Sequence, residues 1–101
     1  MLPDTSTPIA MKYFDELDLK TEIVKRGDGY DFLISLEYEG EIFTQTVEAK
    51  GMHVIKPKQI ERLREGGLLA EVNAKHGTVT ILLWEDIKIG EPDGYRYTIL
   101  H

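Results

Sequence analysis

The sequence of 101 residues contains no cysteine. A disulfide framework, a thiolate zinc site and a cysteine nucleophile are therefore excluded. Long apolar runs are also missing, since no stretch approaches the roughly 18 apolar residues that a membrane-spanning helix needs. The N-terminal residues MLPDTSTPIAMKYFDE have neither the basic flank nor the apolar core of a secretory signal. We therefore expect a cytoplasmic protein.

Basic residues are in the minority, because 12 Lys and Arg stand against 18 Asp and Glu, giving a formal net charge of −6. This charge disfavours general binding to nucleic acid or to an anionic membrane surface. Residues 1–48 carry a net charge of −7, whereas residues 49–65 carry +3. The length and the apolar fraction of 42% are typical of one soluble globular domain. We expect a loose N-terminal tail over residues 1–6 and a single domain over residues 7–101.

Catalytic and metal-binding patterns are absent as well. The histidines, His53, His76 and His101, are too far apart for a zinc motif such as HExxH. The carboxylates are scattered, so that neither a calcium loop nor a paired general acid and base can be nominated. Gly27-Asp28-Gly29 is followed by no helix that would receive a phosphate. We predict no catalytic residue, no metal site, no cofactor and no enzymatic activity.

Two short helices are indicated by capping signals. Thr7-Pro8 is a helix-start signal, and apolar residues then recur every four positions, which predicts a helix over residues 8–16. A second helix is predicted over about residues 57–65, between Pro57 and the stop signal Gly66-Gly67. Basic and acidic side chains three residues apart compensate each other on its outward face, so this face is close to neutral.

The remaining segments alternate apolar and polar residues, as half-buried antiparallel strands do. Turn signals at Asp28-Gly29, Glu39-Gly40 and His76-Gly77 divide these segments into hairpins, and EPDGY precedes a last strand. Two-residue turns at these points predict the following opposite pairs: Ile23 with Ile34, Leu36 with Phe43, Phe32 with Val47, and Val72 with Ile81. One apolar face then consists of Leu19, Ile23, Phe32, Ile34, Leu36, Phe43 and Val47.

These elements predict an α+β fold in the order α-βββ-α-βββ. Two antiparallel β-meanders are joined by the short helix at about residues 57–65. A partly open barrel is an alternative arrangement, because three strands, a helix and a hairpin is also the order of an OB-fold. No residues diagnostic of that family are present, so the likeness concerns architecture alone.

The most basic part of the chain is KGMHVIKPKQIERLREGG, residues 50–67. Since the charges on the helix itself compensate each other, unpaired positive charge remains at Lys50, Lys56 and Arg64, with His53 between them. These four residues are the candidate binding site. The alternative interpretation is an ordinary solvated helix, with the histidine as a half-buried polar residue.

The function that this sequence favours is a small acidic, non-catalytic protein-interaction module: an inhibitor, an immunity-type protein, an adaptor or a chaperone-like protein. It would bind a partner protein through a charged surface or through a sheet edge. The last strand, with alternate residues Tyr95, Tyr97 and Ile99, is such an edge, and a homodimer formed there is a further expectation.

Two other functions remain open. The first is an OB-like module for single-stranded nucleic acid, in which Lys50, Lys56 and Arg64 contact the backbone and tyrosines stack on bases. The candidate tyrosines are Tyr30, Tyr38, Tyr95 and Tyr97. The second is a small enzyme that uses His53. An enzyme would need a cavity that gathers His53 with carboxylates from distant strands.

Overall fold

The structure is a computed structural model, and it describes residues 5–24, 29–90 and 96–100. The elements are α1 (Ser6–Asp15), β1 (Lys20–Ile23), β2 (Phe32–Tyr38), β3 (Glu41–Lys50), α2 (Pro57–Arg64), β4 (Leu68–Asn73), β5 (Thr78–Leu82), β6 (Ile87–Ile89) and β7 (Tyr97–Ile99). One turn of 3-10 helix, Trp84–Asp86, connects β5 to β6. The predicted α+β class is confirmed. Within the described ranges, neither helix has the length and apolar character required to cross a membrane.

Five strands form one mostly antiparallel sheet in the order β1-β2-β3-β4-β5, and β6 pairs with β7 in a separate two-stranded ribbon. β3 and β4 are parallel, and α2 connects them. The first predicted meander, β1-β2-β3, is confirmed. The second is not formed as predicted, because β4 and β5 join the same sheet through the parallel pair. The last strand pairs with β6 instead of β5. In the described residues β1 and β5 are the two edges, so a partly open barrel is not confirmed.

The hairpin predicted at Glu39-Gly40 is confirmed. Leu36 pairs with Phe43, and Phe32 pairs with Val47, as the alternation indicated. Both turn residues have positive φ angles, 51° and 81°. A two-residue type I′ turn requires this conformation at both central positions, and glycine adopts it without strain.

The other two predicted registers are shifted by two residues. Ile23 pairs with Phe32 instead of Ile34, and Val72 pairs with Val79 instead of Ile81. Between β4 and β5 the connection is a longer turn over residues 74–77, which accounts for the second shift. A shift of two keeps every side chain on its predicted face. The predicted turn residue Asp28 and the predicted turn at 91–95 lie outside the described residues.

α1 begins at Ser6, two residues before its predicted start, and its N-cap is Thr5. Pro8 therefore lies within the first turn instead of at the first helical position. A proline is tolerated there because the first four N–H groups of a helix have no partner within it. Residues 1–4 of the predicted tail lie outside the described residues.

α2 begins at Pro57, as predicted. It ends at Arg64, where Gly66 adopts a φ of 103°. The N–H of Gly67 donates to the carbonyl of Arg62 at 2.9 Å, which satisfies one of the carbonyls left free at the helix end. Leu63 is buried under this helix.

Two apolar cores lie on opposite faces of the sheet. α1 covers one face, and the core there consists of Ala10, Phe14, Phe32, Ile34, Val47, Ala49, Ala70 and Val72. α2 and the β6–β7 ribbon lie on the other face, and the core there consists of Ile55, Leu63, Leu69, Leu82, Ile87 and Tyr97. β4 contributes to both cores, since Ala70 and Leu69 point to opposite sides.

Candidate functional site

Two of the four predicted binding residues contact carboxylates. The Lys50 side chain is only 15% exposed, and its Nζ lies 3.5 Å from Glu48 Oε1. His53 Nε2 pairs with the carboxylate of Glu71 on β4. Lys56 and Arg64 are exposed at the two ends of α2. Only these last two therefore present a charge directly to solvent.

The predicted site is not gathered into one cavity. Arg64 lines a shallow depression of about 370 Å³ together with Pro57 and Ile60 of α2. His53 lines a different cavity of about 500 Å³ beside β4 and β5. Binding at these four residues therefore stays a prediction. It would require a partner large enough to contact both regions at once.

His53 belongs to a compact polar cluster. Its ring stacks on the buried ring of Tyr97, with the centroids 4.9 Å apart and the planes 17° from parallel. Glu71 Oε2 and the Tyr97 hydroxyl are buried and have no hydrogen-bond partner among the described residues. Burial, and then the charge of Glu71, raise the pKa of the Tyr97 hydroxyl. This hydroxyl is therefore protonated at all physiological pH values.

The cavity beside His53 meets part of the requirement for an enzyme, because it gathers this histidine with a carboxylate from a distant strand. Its lining includes the hydroxyls of Thr78 and Thr80. Neither hydroxyl is hydrogen-bonded to His53 in the described part of the chain. A nucleophile is activated by such a contact, so the arrangement supplies a histidine–carboxylate pair without an activated nucleophile.

A second titratable cluster surrounds Glu48, which is 7% exposed. Gln59 Nε2 of α2 donates to Glu48 Oε1 at 2.7 Å. Burial, reinforced by the nearby charge of Asp31, raises the pKa of Glu48 from an ordinary value of 4.5 to about 8. Asp31 itself accepts the N–H of Ala49 at 2.8 Å. At neutral pH the Glu48 carboxyl is thus mostly protonated.

The Glu48 cluster holds α2 against the sheet. Gln59 Oε1 accepts the N–H of Lys56 at 2.8 Å, which caps the first turn of α2. The same amide side chain donates to Glu48 on β3. Sequence reasoning nominated no carboxyl in an apolar setting. The alternation places Glu48 on the face opposite Val47, but only the fold shows that α2 covers that face.

The end of the β2–β3 hairpin extends past its neighbouring strands. β1 pairs with β2 only as far as Ser35, and β4 begins to pair with β3 at Val47. Every residue from 36 to 44 is exposed. We call residues 36–44 the β-arm.

The β-arm carries large apolar side chains in solvent. Leu36 is 47% exposed, Phe43 53%, Tyr38 62% and Ile42 71%. At the base of the β-arm these residues lead into an apolar cavity of about 390 Å³, which is lined in part by Leu19, Leu36 and Phe43. The β2–β3 pairing of the predicted apolar face is thus correct, but its outer residues Leu36 and Phe43 are uncovered.

The length of α1 explains this exposure. α1 has 10 residues, which span about 15 Å. β3 also has 10 residues, but an extended strand of that length spans roughly 33 Å. One short helix therefore covers only the inner part of the hairpin.

The charge of the β-arm has a single sign. Glu37, Glu39 and Glu41 lie around its turn, and no lysine or arginine occurs anywhere from residue 29 to residue 49. The β-arm is therefore an exposed apolar surface bounded by carboxylates. The sequence showed the acidic residues and the apolar face separately, and the fold brings them together.

The tyrosines considered for base stacking do not share one open surface. Tyr97 is 2% exposed. The guanidinium of Arg62 lies over the ring of Tyr30, 5.2 Å from its centroid. Tyr38 is exposed, but it lies on the acidic β-arm, and Tyr95 lies outside the described residues. This placement disfavours a stacking platform of the OB type.

Comparisons with known proteins give limited information. No family model and no solved structure matches the chain. The chain is similar to a cysteine–tRNA ligase of Lachnoclostridium phytofermentans, with 28% identity over 93 residues. The match covers 91% of the chain but 18% of the ligase. The chain thus spans less than a fifth of the length of the relative it matches.

Proposed function

We propose that this chain is a small acidic, non-catalytic interaction module that binds a basic partner protein through the β-arm. The observation that carries this proposal is the exposure of large apolar side chains on both faces of the β-arm: Leu36, Tyr38 and Phe43 on one face and Ile42 on the other. Residues 36–44 also contain three carboxylates and no lysine or arginine. Cytoplasmic localisation stays part of the proposal.

The apolar part of the β-arm supplies affinity. Scattered single apolar residues are normal on protein surfaces, but a contiguous exposed patch is typical of an interaction site. Leu36 and Phe43 are directly paired across the hairpin, and Tyr38 lies at its turn on the same face. Aromatic side chains such as Tyr38 and Phe43 are common centres of protein interfaces, since they bury a large area.

The acidic part of the β-arm determines the kind of partner. Carboxylates at the rim of an apolar patch favour a partner whose patch is bounded by lysine or arginine, and they accelerate association at low salt. A second copy of this chain would bring the same negative charge against the β-arm. A heterotypic complex with a basic protein is therefore favoured over a homodimer.

The ligase relative is compatible with a module. A stretch of similar sequence occurs inside a much longer chain there, which is the arrangement expected of a unit that folds by itself. Because that protein is named as a tRNA ligase, RNA is the competing ligand. The net charge of −6 and the scattered tyrosines oppose RNA binding.

Quantitative affinity capture with matched variants tests the proposal. Ile42→Ser and Tyr38→Ser together remove apolar area from the β-arm at positions that are 71% and 62% exposed. Met52→Ser is the matched control, because Met52 is equally exposed at 71% but lies outside the β-arm. We expect the β-arm variant to retain less than a tenth of the wild-type capture of a basic protein, and the control to retain all of it.

Charge reversal separates the β-arm from the predicted basic site. We expect Glu37→Lys with Glu41→Lys to abolish capture, and Lys56→Glu with Arg64→Glu to leave it unchanged. Capture that survives on the β-arm variants and is lost on the Lys56 and Arg64 variant would move the site to α2. Specific recovery of RNA in place of a basic protein would establish the competing function.

A further inference from the structure

The outer edge of β3 has backbone groups that point into solvent. In a two-residue hairpin the pair that flanks the turn, Tyr38 and Glu41, exchanges both backbone hydrogen bonds. Hydrogen-bonded pairs then alternate along the ladder, so Phe43 also bonds to β2. The N–H and C=O groups of Ile42 and Thr44 consequently point away from β2.

A side-chain contact supports this alternation independently. The N–H of Thr46, two residues after Thr44, donates to the Gln45 side-chain oxygen at 3.0 Å. It is therefore not used in the ladder with β2. Since β4 starts to pair at Val47, no described strand lies beside Ile42 and Thr44. The unpaired part of this edge therefore ends at Gln45 on one side and at the turn on the other.

We infer that the outer edge of β3 at Ile42 and Thr44 accepts an extended, basic segment of the partner protein as an added strand. This inference rests on the proposed function and specifies how the β-arm binds. Addition of a strand to a free edge is a general mode of peptide recognition, in which the backbone supplies hydrogen bonds and alternate side chains supply specificity.

The side chains beside this edge define the sequence that fits. Glu41 and Phe43 lie on one face of β3, and Ile42 and Thr44 lie on the other, because successive side chains alternate. An added strand would place a lysine or arginine next to Glu41 and an apolar residue next to Ile42. Opposite charges and apolar pairs across neighbouring strands are each stabilising. The expected segment therefore alternates basic and apolar residues.

A second copy of the chain is the competing occupant of this edge. Its β-arm would bring Glu37, Glu39 and Glu41 close to the same three carboxylates, with no cation from residue 29 to residue 49 to compensate them. The charge therefore favours a basic segment. Light scattering after size-exclusion chromatography decides this point: a monomer at micromolar concentration is expected, and a dimer that Thr44→Pro dissociates would assign the edge to self-association.

The test uses a synthetic basic strand as the probe. An acetylated, amidated octapeptide of alternating lysine and valine is titrated into the isotope-labelled full chain. We expect amide chemical shifts to change at residues 41–45 and amide exchange at Ile42 and Thr44 to slow. The same peptide with alternate N-methylated residues cannot donate to the edge, and we expect its binding to be at least tenfold weaker. Equal binding of both peptides, or shifts confined to other surfaces, would overturn the inference.

Thr44→Pro tests the edge from the side of the protein. Proline removes an N–H that points to the free edge and leaves the ladder with β2 intact, since proline is tolerated on edge strands. We expect this variant to melt as the wild type does and to bind the octapeptide at least tenfold more weakly, whereas Thr44→Val binds as the wild type. If Thr44→Pro fails to fold, the comparison with the N-methylated peptide still tests whether a strand is added at this edge.

The two proposals fail in different ways. Loss of partner capture in the Tyr38 and Ile42 variant, with full capture in folded Thr44→Pro, would mean that the partner docks on the side chains of the β-arm and not on the backbone of its edge. The proposed function would then stand and the added strand would be wrong. Full capture in both variants would contradict the proposed function itself.

Discussion

At the scale of single residues, Glu48 is the most unusual group in the structure. Its carboxyl is buried, and burial together with the charge of Asp31 raises its pKa to about 8. Between an ordinary pKa of 4.5 and about 8, the folded chain holds a proton that the unfolded chain has released. Stability from this proton is therefore complete below pH 4.5 and is lost as the pH rises through 8.

Glu48→Gln tests this assignment. The amide is neutral at every pH, keeps an acceptor for Gln59 and has nearly the same shape. We expect the free energy of unfolding of the wild type to fall by about 1–2 kcal/mol between pH 7 and pH 9, which follows from linkage for a pKa near 8. The variant should lose much less over the same range. Urea titrations at the two pH values measure both proteins, and parallel losses would show that another group is responsible.

The residues that carry chemistry were only partly readable from the sequence. The sequence identified His53, but the carboxylate that pairs with it, Glu71, lies on β4 and is brought close by the parallel pairing of β3 with β4. Lys50 was identified as unpaired, although its side chain is only 15% exposed and lies 3.5 Å from Glu48, two residues earlier on the same face of β3. Which carboxylate lies beside a given side chain depends on how the strands pair and on which face of the sheet is covered. A local sequence pattern does not contain this information.

At the scale of secondary-structure elements, local sequence signals predicted the helix ends and the tight hairpin turn correctly. Both helices were predicted to within two residues, and the Glu39-Gly40 hairpin had the predicted register. The pairing of β3 with β4 was not predictable in this way, because a parallel pair is joined by a crossover whose partner strand is chosen by packing. The ribbon of β6 and β7 was missed for a similar reason, since β6 has only three residues.

Gly29, which precedes β2, packs tightly against α2, and a pair of glycine variants measures this contact. A Cβ on Gly29 would lie 2.6 Å from the carbonyl oxygen of Lys58, whereas a Cβ on Gly40 would meet nothing within 4 Å. Both glycines have similar positive φ values, 86° and 81°. Gly40→Ala should therefore cost only the left-handed strain, about 1–2 kcal/mol. Gly29→Ala should cost at least about 1 kcal/mol more, because the helix has to move.

Urea denaturation of the two alanine variants supplies the comparison. Equal losses of stability would mean that α2 does not contact Gly29 in solution. A larger loss for Gly40→Ala would contradict the packing of α2 against the sheet as described. The stacking of Arg62 on Tyr30 lies in the same region, so a displaced helix would also shift the ring proton resonances of that tyrosine.

At the scale of the whole molecule, the two faces of the sheet are covered to different extents. α2 and the ribbon cover one face near β4 and β5, and α1 covers the inner part of the other face. The outer part of the β2–β3 hairpin is left without a covering element in the described residues. This mismatch between a short helix and a long hairpin produces the β-arm. Three acidic residues of the first half of the chain, Glu37, Glu39 and Glu41, lie on it.

Amide hydrogen exchange of the chain, alone and with the captured partner, tests the central claim most directly. If the β-arm is the docking surface, exchange should slow at residues 36–44 by at least tenfold, while the amides of α2 and of residues 50–56 should exchange as in the free chain. Protection confined to residues 50–64, with the β-arm unchanged, would contradict the account and would place the partner on the basic stretch that contains Lys50, His53, Lys56 and Arg64.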